Sequence, residues 1–150
     1  MGRSQTTMED AARRVLVCMQ AQHWGGMVLQ SSEVCARACI TPRRWHDIRS
    51  VLTALGWAVH RKRACEFAPS RDVFGFQASA YKLRNTVGAE ALAMMKWLLW
   101  HGTASYRDMH PGATTRRCRD TFYYARSVLA GLGLVRVEGR VVHAVDFAII

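Results

Sequence analysis

Residues Arg49-Ser50-Val51-Leu52-Thr53-Ala54-Leu55-Gly56 return later in the chain as Arg126-Ser127-Val128-Leu129-Ala130-Gly131-Leu132-Gly133. Six of the eight are identical, at an offset of 77. The apolar residues at 51, 52 and 55 fall on one helical face, and Gly56 stands where a helix takes a left-handed terminating residue. After each Gly the sequence turns short and β-rich, as Trp57-Ala58-Val59 and Leu134-Val135-Arg136-Val137. Each copy predicts a helix that ends in Gly and runs into a strand.

The flanks extend the repeat. In the first copy, Ala12, Val15, Leu16 and Met19 repeat at helical spacing between Glu9 and about His23, and Gly25-Gly26 is expected to end that helix. Residues 1–8 are polar and expected to fray. Met27-Val28-Leu29 suits one short strand, and Ser31-Ser32-Glu33 opens a short helix to about Ile40. Thr41-Pro42 joins a capping hydroxyl to Pro at the first helical position, starting a helix with Trp45, Ile48, Leu52 and Leu55 on one stripe. Residues 57–63 alternate weakly, 68–72 read as a loop, and 76–84 read as the returning strand.

The second copy keeps that order. Ala89 to His101 is an apolar helix, Gly102-Thr103-Ala104 stands in the short strand's place, and Ser105 opens a brief helix that Pro111-Gly112 breaks. Thr114 or Thr115 caps a long helix to about Gly131, and Val137 to Arg140 predict a tight hairpin between 134–137 and 140–147. The same offset puts Trp45 on Phe122 and Ile48 on Ala125, and sets His23 and Trp24 beside Trp100 and His101.

An order of helix, short strand, helix, helix and hairpin, met twice, resembles the winged helix-turn-helix superfamily. The resemblance lies in element order and spacing over about 9–84 and 87–150, with no signature string. It implies a mainly α protein with small β-hairpins (α+β), made of two tandem winged-helix domains. They would join near Arg84-Asn85-Thr86, with so little linker that they pack together.

The chain of 150 residues carries 21 Lys plus Arg against 11 Asp plus Glu, a net charge of +10. That excess favours a polyanionic partner, and double-stranded DNA is expected. The longest apolar run, 91–100, is short and contains Lys96, so no membrane span is expected. Five cysteines in no zinc-finger spacing, with no secretory signal, predict reduced thiols in a cytoplasmic, nucleoid-associated or nuclear protein. Cys35 and Cys39 are expected to pack in a helix.

In a helix-turn-helix the third helix enters the major groove with its early exposed residues on base edges. For 42–55 these are Arg43, Arg44, His46 and Asp47, and for 115–131 they are Arg116, Arg117, Arg119 and Tyr123. Arg49 and Arg126, later in each helix, are expected to cap or brace. In the first wing Arg61, Lys62 and Arg63 would meet phosphates, whereas the second wing carries Glu138 with Arg140 and is nearly neutral. The tryptophans sit mostly at core spacing. Two contact surfaces about one helical turn of DNA apart would let one chain mimic a two-fold dimer.

Gly-rich phosphate loops, H-E-x-x-H and nucleophile elbows do not occur, so neither catalysis nor a cofactor is expected. The function expected is transcriptional regulation. Two alternatives fit the same residues: a plasmid- or phage-type replication initiator binding DNA repeats, and a tandem winged-helix subunit of a larger protein assembly. Any exposed part of helix 89–100 would favour a homodimer or protein partner.

Overall fold

A computed structural model of the chain describes residues 7–61, 64–67, 86–112 and 115–145. These form two halves with one element order. The first half comprises α1 (Met8–Ala21), β1 (Val28–Gln30), α2 (Ser31–Ala38), α3 (Pro42–Ala54), β2 (Ala58–Arg61) and β3 (Ala64–Phe67). The second comprises α4 (Thr86–His101), β4 (Thr103–Ala104), α5 (Tyr106–Met109), α6 (Arg116–Gly131), β5 (Val135–Glu138) and β6 (Val141–Ala144). Each half carries a three-stranded antiparallel sheet, ordered β1-β3-β2 and β4-β6-β5, so the architecture is α+β and mainly helical.

The repeated octapeptides end their helices in the same way. Gly56 and Gly133 sit at φ +77° and +78°, and the residue after each donates back five positions, Trp57 N–H to Leu52 O and Leu134 N–H to Leu129 O. This wrap satisfies carbonyls the helix would leave open, and it aims the chain into β2 and β5. From there the offset of 77 holds through both hairpins.

Elsewhere the register shifts. Buried Met8, Ala12, Val15 and Met19 of α1 match Val87, Ala91, Met94 and Leu98 of α4, an offset of 79. Leu29 pairs with Cys65, and Ala104 with Val142, so β1 and β4 match at 75. His23 and Trp24 are therefore not the counterparts of Trp100 and His101. Trp24 is fully buried, its ring centroid 4.9 Å from that of Phe67, while Trp100 is 82% exposed.

Other local expectations need correction. Thr7 caps α1 and Met8 is buried, so the helix starts before Glu9. That helix ends without its glycines: His23 takes the left-handed turn at φ 52°, and Trp24 N–H reaches Met19 O. The cap of α2 is Gln30, in a reciprocal box with Glu33, because the chain leaves β1 directly into the helix. Cys39 lies beyond that helix, exposed and left-handed at φ 55°. The strand returning from β2 is β3 at 64–67, since Phe67, Cys65 and Ala64 pair with Ala58, His60 and Arg61. The stretch 76–84 and Arg84-Asn85 lie outside the described residues.

The halves share one continuous apolar core. Helix α1 packs more extensively on α6 of the other half than on its own α3, and α4 packs on both α3 and α6. Two glycines permit these crossings. A β-carbon on Gly131 would come within 2.3 Å of Glu9 O and 2.6 Å of Ala12 Cβ; one on Gly88 would come within 2.1 Å of Ser50 Oγ. Both contacts are far below van der Waals separation, so these positions accept no side chain without backbone movement. The crossings also bring α3 against α6.

Candidate nucleic-acid interface

Helix α3 starts where its sequence dictates, with Thr41 Oγ1 accepting from Arg44 N–H at 3.2 Å and Pro42 in the first turn. Trp45, Ile48, Val51, Leu52 and Leu55 turn inward, which leaves Arg43 and His46 exposed and Arg44 and Asp47 half-buried. Helix α6 repeats the design. Thr115 Oγ1 accepts from Cys118 N–H at 3.3 Å, Phe122, Ala125, Val128 and Leu129 are buried, and Arg116, Arg117 and Arg119 are exposed.

The two helix starts converge. Arg43, His46 and Asp47 of α3 form one wall of an open cleft of about 650 Å³. Arg116, Arg117, Asp120, Thr121 and Tyr124 of α6 form the other, with Val87 of α4 between them. The first turns of two helices, with their positive dipole ends, thus bring three guanidinium groups to one cleft. Arg116 Nε lies 3.8 Å from Asp120 Oδ2, but its side chain is 94% exposed, so water screens the pair and the guanidinium stays available. The expectation of contact surfaces a full DNA turn apart, roughly 34 Å, does not hold. Arginines from both halves line one cleft, and α3 meets α6.

Not every expected residue joins it. Arg44 lies outside the lining, and Arg119 stands 6.0 Å from the Tyr106 ring centroid. Tyr123 is half-buried, braced against Phe122 and under the Arg126 guanidinium at 4.5 Å. Arg126 therefore braces, as does Arg49, whose Nη2 is 3.3 Å from His46 Nδ1. The tyrosine in the cleft is Tyr124, 46% exposed. Its spacing could have identified it, because it stands seven residues after Arg117 and four after Asp120, on one helical stripe.

Behind the cleft, His110 Nε2 lies 2.5 Å from Glu90 Oε2, a contact that ties the end of α5 to α4 beside Arg117 and Cys118. In the first hairpin Arg61 ends β2, and Lys62 and Arg63 lie outside the described residues. In the second, Arg136 pairs with Glu138, and His143 lies 3.7 Å from the same carboxylate. Burial pushes the thiols of Cys18, Cys35 and Cys65 above their ordinary range. At Cys18 nearby Cys39 adds to that rise, and Arg37 opposes it. These thiols stay protonated at neutral pH and serve as packing groups.

Among the described residues no cluster of three or more His, Cys, Asp or Glu is placed to hold a metal ion, and no helix is long and apolar enough to cross a membrane. On α4, Leu99 and Trp100 face solvent, and Trp97 stacks on His101 at 4.2 Å. No protein-family model, curated protein or solved structure matches this chain.

Proposed function

We propose that this chain is a sequence-specific double-stranded DNA-binding protein, a transcriptional regulator built from two winged helix-turn-helix units. The observation that carries this reading is the convergence of two arginine-bearing helix starts on one open cleft, in a chain of net charge +10. The repeated element order and the matched sheet orders support the winged-helix assignment.

The packing restricts how DNA is met. A helix with its side chains is about 10–12 Å across, and the major groove is about 12 Å wide. Adjoining α3 and α6 cannot both lie lengthwise in one groove. Each instead presents its N-terminal turn, with Arg43, Arg116 and Arg117 toward phosphates and base edges. Asp47 accepts from a cytosine amino group or orients an arginine. The basic run Arg61-Lys62-Arg63 in the sequence would add contacts to phosphates.

The test is fluorescence anisotropy of a labelled duplex of about 30 base pairs, repeated across a salt series. Sub-micromolar binding should weaken by about 0.9 decades per decade of salt for each phosphate contacted. Absence of binding at low salt would end the DNA reading. A second reading, a subunit that grips protein, draws on exposed Leu99 and Trp100. It predicts association that Trp100→Ala weakens and that Arg116→Ala leaves unchanged.

A further inference from the structure

We infer that α3 and α6 form one directional site, so that a single chain reads one short, non-palindromic element of duplex DNA. The inference rests on the DNA-binding reading above and concerns how that site is laid out. In the register fixed by the hairpins and by the matched helix ends Ala54 and Gly131, residues 77 apart are structural counterparts. Arg43 on α3 then corresponds to Asp120 on α6, and Asp47 corresponds to Tyr124. All four line the cleft.

Equivalent places on the two walls therefore oppose guanidinium to carboxylate, and carboxylate to phenol. The cations of the second wall, Arg116 and Arg117, sit on a first turn of α6 with no helical counterpart, because α3 begins at Pro42. A two-fold symmetric target would offer the same groups to both walls. Any phosphate or base acceptor that satisfied Arg43 would then be repeated against Asp120, where like charge or an unpaired acceptor disfavours it. A directional target avoids this conflict.

The cleft also cannot open into two separated half-sites. Its walls are joined through one core, by crossings that leave no room for a β-carbon at Gly88 or Gly131. One chain thus recognises one element spanning about one turn of DNA.

Selection by the full chain from a randomised duplex pool, followed by hydroxyl-radical footprinting and native mass measurement, tests the layout. One asymmetric motif within about one helical turn is expected, with one chain per duplex. Arg43→Ala and Arg117→Ala, both at exposed positions, should each lower discrimination about 10-fold, at different positions of that motif. Repeated or palindromic half-sites centred about 10 base pairs apart, two chains per motif, or binding without any preferred sequence would overturn the inference while leaving DNA binding intact. Failure to bind duplex at any salt would overturn the DNA-binding reading, and this inference with it.

Discussion

The two halves keep the same interior and differ on the surface. Trp45 and Phe122, Ile48 and Ala125, Leu52 and Leu129, and Leu55 and Leu132 are buried at matching positions. The exchanges differ in volume, and the second half fills its smaller positions differently. Tyr106 packs edge-on to Phe122 at 5.5 Å and over Tyr123 at 6.5 Å, a cluster that His110 joins. On the solvent side nothing enforces likeness, and Arg43 stands where its counterpart is Asp120. Packing holds core positions to apolar side chains and leaves surface chemistry free to diverge. The candidate site lies on this divergent surface.

The likeness of the cores is the easier part to break. Trp45→Ala and Phe122→Ala should each lower stability by about 3–5 kcal/mol. Because the core is continuous, each should shift a single urea transition reported by both halves. Hydrogen exchange resolving both halves would show it, and two separate transitions would mean that the halves fold independently. Gly131→Val comes next. It forces a side chain into the Glu9 backbone and should cost about 2–3 kcal/mol by denaturant midpoint.

The surface difference should be smaller in energy and visible only with DNA. Arg116→Ala with Arg117→Ala should weaken duplex binding about 10- to 100-fold and reduce the salt slope by about 1–2. Arg43→Ala alone should act less strongly, and Arg140→Ala in the second hairpin least. Smallest is the contrast between helix ends, since α1 turns through His23 at φ 52° whereas α4 turns through Gly102 at φ +79°. His23→Gly should raise stability by about 0.5–1 kcal/mol, because glycine takes that conformation without a β-carbon clash.

Much of the fold was legible in the sequence, and the reason is local. Thr41-Pro42, Thr115, Gly56 and Gly133 each satisfy helix-end groups by a mechanism that needs those residue types at those places. The second hairpin was readable for the same reason, since Gly139 takes φ +60° in its turn. Lys62 and Arg63 carry no turn signal in the sequence, whereas 68–72 do, which directs a sequence reading to 76–84 for the returning strand instead of β3. A single offset of 77 sets His23 and Trp24 against Trp100 and His101, but connections of unequal length shift the register to 79 in the first helices and 75 in the short strands. The cleft itself was not legible. It depends on α1 crossing α6 and α4 crossing α3, and Gly88 and Gly131 reveal their role only against a neighbouring helix.

The most direct test is a hydrogen-exchange difference map of the full chain with and without duplex DNA. One composite site predicts protection that appears together over the starts of α3 and α6, around 41–47 and 115–124, at one DNA concentration. Protection confined to one of these helices, or centred on the exposed end of α4 at Leu99 and Trp100, would contradict the account.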